Sequence, residues 1–225
     1  MRQKKDDQIP KEYQAGFVEF AGCKIDLSRR PLIPRPETEF WARAAIIDLT
    51  KAKNKNCRVL DIFSGSGCVG AAAAKNLPDI SVDFADIDKN AVEQIKINLK
   101  INQIADERTR VFESDIFKSI PSQTCYAAIL ANPPYVDPAR IGQVQSSVLK
   151  HEPAGALFGG KAGLEIIEKF LAQAADFLAP AGFIYLEFDP LQKENIGVII
   201  RKEGYSKFEF FKDQFCRWRF VKIIK

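Results

Sequence analysis

Strand-like and helix-like segments alternate along this chain from Arg58 onward. Short apolar runs at 58–62, 81–86, 109–114, 127–131 and 183–188 predict strands, and longer stretches at 68–77, 89–102, 164–178 and 193–203 predict helices. This alternation predicts an α/β fold with an open, mainly parallel sheet that helices cover on both faces. Two further runs, Lys207 to Phe211 and Arg217 to Ile224, predict an antiparallel hairpin that closes the sheet.

The part of the chain before Arg58 carries weaker patterns. Residues 1–12 are polar and charged, and we expect a disordered tail there. Two alternating stretches around Ala21-Gly22-Cys23 predict a small N-terminal β-hairpin that forms a lid or an edge. A proline-rich loop then leads into a helix of about twelve residues. We therefore divide the chain into a tail (1–12), a β-hairpin with its loop (13–40) and a main domain (41–225).

Composition limits the classes of protein that this chain can be. With 225 residues, 46% of them hydrophobic, the chain can bury one sizeable globular core. No run approaches the roughly 18 apolar residues of a membrane span, and no signal peptide is recognisable, so we expect a cytoplasmic protein without a membrane partner. Five cysteines without a Cys-x-x-Cys pair argue against a disulfide framework and a zinc ribbon, and we expect no metal. The net charge of +4 does not establish nucleic-acid binding.

The predicted strand 127–131 ends in Asn132-Pro133-Pro134-Tyr135. Proline cannot donate to a strand ladder and restricts the residue before it, so the strand ends at or before Asn132. The Asn132 side chain and the Pro133 carbonyl then offer two acceptors for a planar NH₂ group, and Tyr135 can stack on its face. We interpret this segment as an amino-group clamp. The alternative is a proline-rich turn that only ends a strand.

A glycine loop follows the first strand of the main domain. Gly65, Gly67 and Gly70 form a Gly-x-Gly-x-x-Gly pattern between a predicted strand and a predicted helix, where backbone amides can contact a ligand. The pattern alone is weak, because dinucleotide-binding folds share it and an ordinary tight turn also explains it.

Acidic residues near the strand ends narrow the choice of ligand. Asp61, Asp86 and Asp115 are all expected at the carboxyl edge of the sheet, where open α/β folds bind ligands. Three carboxylates would repel a pyrophosphate. They suit S-adenosylmethionine, which has no phosphate and offers cationic groups, a ribose diol and an adenine amino group as donors. For each aspartate the alternative role is a helix N-cap.

Several of these motifs together resemble the peptide chain release factor glutamine methyltransferases. The resemblance covers residues 13–225 and rests on the following segments: Leu32 to Glu39 (Leu-Ile-Pro-Arg-Pro-Glu-Thr-Glu), the glycine loop, Asp86, Asp115-Ile116-Phe117, Asn132 to Tyr135, His151-Glu152-Pro153 and Ala156 to Leu164. It implies a Rossmann-like class I methyltransferase domain with seven strands, the last antiparallel. Adenine methyltransferases share Asn-Pro-Pro-Tyr, whereas Pro-Arg-Pro-Glu-Thr-Glu is much more particular to the glutamine enzymes.

The resemblance also implies roles for individual residues. Asp86 would bind the ribose of the cofactor S-adenosylmethionine, and Asp115 with Ile116 would bind the adenine. Catalysis would belong to Asn132, Pro133 and Tyr135, which with Pro134 would hold the substrate amide. The residues that would contact the rest of the cofactor are Phe63, Ser64, Gly65, Ser66, Gly67 and Asn132.

Two features depart from the family pattern. The family usually has glycine at the position of Phe63. Bacterial members usually carry a helical N-terminal domain that helps to grip the release factor, whereas here about a dozen polar residues precede the hairpin. Some short relatives act with a small partner subunit, so the resemblance leaves such a subunit open for a chain otherwise expected to be a monomer.

These observations support several functional hypotheses. The first is methylation of the glutamine in the Gly-Gly-Gln motif of a class 1 release factor. The second is an adenine N6-methyltransferase that acts on a flipped base of RNA or DNA. An NAD-dependent oxidoreductase would rest on the glycine loop alone, and a non-enzymatic adaptor would need no clamp. His151 is the sole histidine and lies after the clamp, but amide methylation needs no tuned base, and we expect a local structural role for it.

Overall fold

The strands of the molecule form two sheets. The computed structural model describes residues 8–51 and 57–225. The smaller sheet is the antiparallel pair β1 (Phe17–Phe20) and β2 (Cys23–Asp26). The larger sheet contains β3 (Arg58–Ile62), β4 (Ser81–Asp86), β5 (Thr109–Glu113), β6 (Tyr126–Ala131), β7 (Leu178–Glu187), β8 (Lys207–Lys212) and β9 (Trp218–Ile224).

The large sheet has the strand order β5-β4-β3-β6-β7-β9-β8. The pairs from β5 to β7 are parallel, and β9 runs antiparallel to both β7 and β8. The strand order reverses between β3 and β6, which leaves a crevice at the carboxyl ends of these two strands. The prediction of a seven-stranded, mainly parallel sheet with an antiparallel last strand is confirmed.

Helices cover both faces of the large sheet. They are α1 (Lys11–Ala15), α2 (Pro36–Lys51), α3 (Cys68–Asn76), α4 (Lys89–Ile101), α5 (Ser146–His151), α6 (Glu165–Phe177) and α7 (Lys193–Lys202). Adjacent residues of β3 point to opposite faces: Val59 packs with α2, α3 and the hairpin, whereas Leu60 packs with α6 and α7. Each face therefore has its own apolar core. Across residues 8–51 and 57–225, no helix is long and apolar enough to cross a bilayer.

The N-terminal hairpin is not an edge of the large sheet, because it docks on α4. Asn98 accepts a hydrogen bond from the Asp26 backbone N–H at 2.8 Å, and Asn102 accepts one from the Lys24 N–H at 3.0 Å. Asn98 also donates to the Ser66 carbonyl at 2.8 Å. These amides join the hairpin, α4 and the glycine loop, and they carry the chain from the hairpin toward the carboxyl edge.

Three segments differ from the sequence prediction. Helix α1 begins at Lys11 after Pro10, inside the segment expected to be a disordered tail, of which residues 1–7 lie outside the described residues. Helix α2 has 16 residues, more than the twelve expected. It begins at Pro36, because proline is compatible with the first helical turn. Strand β7 begins at Leu178 and not at residue 183, and the predicted loop 136–163 contains α5.

Candidate active site

Four strands bring their carboxyl ends to one edge of the sheet. Ile62 of β3 pairs with Ala131 of β6, which pairs with Leu186 of β7. On the other side of β3, Ile62 pairs with Ala85 of β4. The residues that follow these pairs are therefore neighbours at this edge, and they include Asp86, Asn132 and Glu187.

The glycine loop lies beside the end of β4. Gly65 and Gly67 have φ angles of 53° and 74°, in the left-handed region where glycine is favoured. The Gly65 N–H donates to the Asp86 carboxylate at 2.8 Å, and the Gly67 N–H donates to the Ser64 carbonyl at 2.7 Å. The Ser64 hydroxyl donates to the Asp61 carbonyl at 2.6 Å. The loop is thus held by its own strand and by Asp86.

Asp61 and Asp86 have different surroundings. Asp61 is buried and accepts the Gly70 N–H at 2.8 Å, near the N-terminus of α3. Asp86 accepts the N–H groups of Gly65 and Asp88 at 2.8 and 2.9 Å and remains partly exposed. Burial raises the pKa of both carboxyl groups. Asp61 therefore supports the loop from below, while Asp86 is placed to meet a ligand.

Three cavities meet at this edge. The largest, of about 210 Å³, is lined in part by Leu32, Phe63, Gly65, Asp86, Asn132 and Gly155. The second contains Asp61, Ser64, Ser66 and Thr38 in its wall, and the third contains Arg35, Pro133, Tyr135 and Glu187. Asn132 lines all three cavities. It therefore stands at the junction between the glycine loop and the segment Pro133–Tyr135.

The predicted clamp residues lie together after β6. Pro133 and Pro134 are buried, and Asn132 and Tyr135 are partly exposed. The Asn132 Nδ2 lies 3.4 Å from the Thr38 hydroxyl, and the Tyr135 hydroxyl donates to Glu187 Oε1 at 3.1 Å. Burial, followed by the charge of Glu187, raises the pKa of Tyr135, so the phenol stays protonated at neutral pH. The Asn132 and Tyr135 side chains are thus both linked to residues outside the motif.

Glu187 is a site residue that the sequence analysis missed. It ends β7, is 1% exposed, and accepts hydrogen bonds from the Thr38 hydroxyl at 2.7 Å and the Trp41 indole at 2.6 Å in addition to Tyr135. Burial raises its pKa, although these donors and the charge of Arg219 oppose that rise. A signal was present in the sequence, because Glu187 is a charged residue at the end of an apolar strand, like Asp86.

An ion pair joins two further segments that border the cavities. Arg35 and Glu152 form an ion pair at 2.6 Å, and Glu152 is buried. Pro153, Gly155 and Ala156 follow Glu152 and line the largest cavity together with Leu32. The two segments that carry the resemblance on either side of the clamp are therefore joined in space.

Three residues predicted to bind the cofactor are Phe63, Asp115 and Ile116. Phe63 has a φ of 58°, which explains why glycine suits this position, and its ring packs edge-on against Phe170 at a centroid distance of 5.7 Å. Asp115 is exposed and Ile116 is buried, and neither lines the three cavities above. Their contact with adenine stays a prediction.

His151 ends helix α5, next to the ion-paired Glu152. Its Nε2 is buried and has no hydrogen-bond partner within residues 8–51 and 57–225. The same residues contain no group of three or more His, Cys, Asp or Glu side chains arranged to hold a metal ion.

Comparison with known proteins places these motifs in a family. A family model described as methyltransferase small domain matches residues 43–154. The release factor glutamine methyltransferase of Streptococcus pneumoniae is 36% identical over 217 residues, which are 95% of this chain and 74% of that protein. This chain belongs to the release factor glutamine methyltransferase family. Another member, from Thermodesulfovibrio yellowstonii, is 33% identical over 91% of this chain and 72% of its own length. The resemblance drawn from the motifs is confirmed.

Solved structures agree with this family in fold. A 16S rRNA methyltransferase from Thermus thermophilus, solved in complex with AdoMet and guanosine, has a TM-score of 0.66 at 16% identity and covers 93% of this chain and 49% of its own. The catalytic domain of hMettl16, solved with an RNA hairpin, has a TM-score of 0.70 at 15% identity and covers 91% and 76%. These likenesses confirm that this chain has a Rossmann-like class I methyltransferase fold.

Proposed function

We propose that this methyltransferase transfers a methyl group from S-adenosylmethionine to the side-chain amide nitrogen of the glutamine in the Gly-Gly-Gln motif of a class 1 peptide chain release factor. The observation that carries the proposal is the position of Asn132, which lines the cavity beside the glycine loop and the cavity beside Tyr135. A substrate amide held by Asn132 would face both cavities. Family membership supports the choice of glutamine over adenine.

The lining of the largest cavity suits S-adenosylmethionine in its chemistry. Its walls are largely apolar, as an adenine ring and ribose carbons require, and they include the carboxylates of Asp86 and Asp88. A carboxylate oxygen has two lone pairs, so Asp86 can accept ribose hydroxyls while it holds Gly65 and Asp88. When bound, S-adenosylmethionine supplies a methyl group that its positively charged sulfur activates. We assign the rest of its contacts to Phe63, Ser64, Gly65, Ser66 and Gly67, and the adenine to Asp115 and Ile116.

The clamp solves a problem of orientation. A carboxamide nitrogen is a poor nucleophile because its lone pair is delocalised into the carbonyl. If Asn132 Oδ1 and the Pro133 carbonyl accept the two amide hydrogens, the nitrogen is held in one direction and catalysis is mainly by proximity and orientation. Tyr135 and Pro134 would complete the wall around the amide plane.

Proton transfer places little demand on the protein. An amide nitrogen that has accepted a methyl group is strongly acidic, so its extra proton can leave to water or to a clamp carbonyl. A general base with a tuned pKa is therefore unnecessary, and the proposal gives His151 no part in the chemistry.

The Asn132→Ala variant tests the proposal. Turnover on a purified release factor should fall by at least about a hundredfold, while cofactor affinity should change far less, because the clamp serves the substrate. Turnover is measured with labelled S-adenosylmethionine, affinity by calorimetry, and the product by mass spectrometry. Asn195→Ala, at an exposed position of α7, is the matched control that keeps full activity.

Total RNA is the competing substrate in the same assay. One added methyl on a glutamine side chain of the release factor is the expected product. Methyl transfer to adenine in RNA, with none to protein, would contradict the proposal. A release factor substrate places the proposed reaction in the cytoplasm, and the monomeric state and a small partner subunit stay predictions.

A further inference from the structure

Glu187 connects the Asn132 and Tyr135 side chains of the clamp. Its Oε1 accepts the Tyr135 hydroxyl at 3.1 Å, and its Oε2 accepts the Thr38 hydroxyl at 2.7 Å. The Thr38 oxygen in turn lies 3.4 Å from Asn132 Nδ2. The chain of contacts runs from β7 through the first turn of α2 to the residue after β6.

The chemistry of these donors and acceptors fixes the direction of each hydrogen bond. The ionised Glu187 carboxylate can only accept, and its Oε2 also accepts the Trp41 indole N–H, so the single proton of the Thr38 hydroxyl is committed to Glu187. The Thr38 oxygen can then only accept, and the partner that it accepts from is the NH₂ side of the Asn132 amide. Asn132 is thereby oriented with Nδ2 toward Thr38, and its Oδ1 is left to accept from a substrate amide.

We propose that Thr38 and Glu187 are positioning residues that fix the orientation of the Asn132 amide and of Tyr135 for methyl transfer. This inference rests on the function proposed above and extends it to two residues outside the Asn-Pro-Pro-Tyr motif. The reversed Asn132 amide would place a donor toward the substrate NH₂ group, and two donors cannot bond each other. Orientation of this one amide therefore decides whether the clamp can bind its substrate.

Burial supports a role beyond surface contact. Thr38 is 2% exposed and Glu187 is 1% exposed, so neither partner can exchange its hydrogen bond for one to bulk solvent. A buried carboxylate is weak evidence for stability, because a well-packed apolar group often serves the fold as well. The contact between Asn132 and Thr38 is longer than the roughly 2.7–3.2 Å of an ordinary N–H···O bond, and catalytic hydrogen bonds shorten as the reactive complex forms.

The first test removes the Thr38 hydroxyl and keeps the size of the side chain. Thr38→Val should lower kcat by about tenfold or more, because the amide loses its fixed orientation, while Thr38→Ser should stay within about threefold of wild type. The cofactor dissociation constant should not change in either variant. Thr50→Val is the matched control, since Thr50 lies on the same helix and donates to the Ile46 carbonyl at 3.0 Å, away from the clamp.

A double-mutant cycle separates positioning from general stability. In an Asn132→Ala background, Thr38→Val should lower turnover by less than about twofold, because a residue that acts through Asn132 has nothing left to orient. Equal losses in the two backgrounds would overturn the proposal, since they would show that Thr38 acts independently of Asn132.

An NMR measurement tests the same link without any substrate. In protein labelled with ¹⁵N-asparagine, the Asn132 side-chain signal is assigned by its loss in Asn132→Ala. Thr38→Val should shift this signal and speed the exchange of its protons with water, whereas Thr50→Val should leave it in place. An unmoved signal in Thr38→Val would overturn the proposal. Because this result does not depend on turnover, it is distinguishable from a failure of the release factor assay.

Discussion

Asp86 shows how a single side chain can serve the fold and the site together. Its two oxygens hold the backbone of Gly65 and Asp88, so the carboxylate is fixed before a ligand binds. Asp86 also lines the largest cavity, so its remaining lone pairs can accept hydrogen bonds from a ligand there. The neighbouring Asp88 is the N-cap of α4, since its side chain accepts the Asn90 N–H at 2.8 Å.

A substitution at Asp86 tests its proposed contact with the cofactor. Asp86→Asn keeps the size of the side chain but loses the charge, and it should lower the affinity for S-adenosylmethionine by about 1–3 kcal/mol, the scale of hydrogen bonds to a charged group. Isothermal titration calorimetry measures this loss. The exposed Asp106→Asn is the matched control, and equal affinities in the two variants would remove Asp86 from the cofactor site.

The sequence predicted a clamp at Asn132 to Tyr135 but not the residues that contact this segment. Asn132 to Tyr135 could be predicted because proline and asparagine interrupt an apolar strand at a recognisable point. Thr38 and Glu187 belong to segments far from the clamp in sequence, and their meeting depends on how α2 packs against the sheet. Local patterns carry no information about that packing, whereas parallel strand order does predict which strand ends are neighbours.

At the scale of elements, the contact between α3 and the sheet depends on a residue without a side chain. A Cβ at Gly70 would lie 2.8 Å from the Cβ of Asp61 and would also overlap the ring of Phe84. Helix α3 can therefore approach β3 and β4 closely, which allows the Gly70 N–H to reach the buried Asp61 carboxylate.

Alanine substitutions in two helices test this close approach. In Gly70→Ala, overpacking should cost about 1–3 kcal/mol. This cost should exceed the roughly 1 kcal/mol that alanine gains as a helix former, so the variant should be less stable than wild type. Gly197→Ala in α7 is the control, because its nearest atoms lie 3.6 Å away, and it should stabilise by about 0.5–1 kcal/mol. Urea denaturation compares the two, and a stabilised Gly70→Ala would show that α3 can move away from the sheet.

Element boundaries show where sequence patterns stop being informative. Strands β3 and β4 were predicted to the residue, because a glycine loop follows β3 and a helix with a recognisable start follows β4. Strand β7 was predicted too short, since Pro180-Ala181-Gly182 reads as a break, whereas the strand continues through an irregularity with Ala181 at a φ of 59°. Helix α5 has six residues, too few for helical periodicity to be recognised.

For the molecule as a whole, three carboxyl groups with raised pKa values influence stability. Burial raises the pKa of Asp61, Asp86 and Glu187, so the folded state binds protons that the unfolded state has released. Stability contributed by such groups falls as pH rises from the unfolded pKa toward the folded one. For Glu187 this window begins at its ordinary value of 4.5 and extends upward.

The Glu187→Gln variant tests the sign of this effect. It removes the titrating group, so the variant should gain stability relative to wild type as pH rises above 4.5. One group contributes at most about 1.4 kcal/mol per pH unit. Denaturation midpoints measured at several pH values between 4.5 and 8 give the slope. If the difference between variant and wild type stays constant across that range, Glu187 does not titrate as its burial requires.

Strand β9 lies between β7 and β8, although it follows both in the chain. Glu187 pairs with Phe220 of β9, and the Phe188 N–H donates to the Arg219 carbonyl at 2.9 Å. During synthesis, β7 therefore remains an edge strand until residues 218–224 have left the ribosome. A nascent chain that ends before Trp218 already contains the glycine loop, Asp86 and Asn132. In such a chain β7, which carries Glu187, still lacks β9 as its neighbour. The environment of Glu187 is therefore completed only after residues 218–224 have been synthesised and paired with β7.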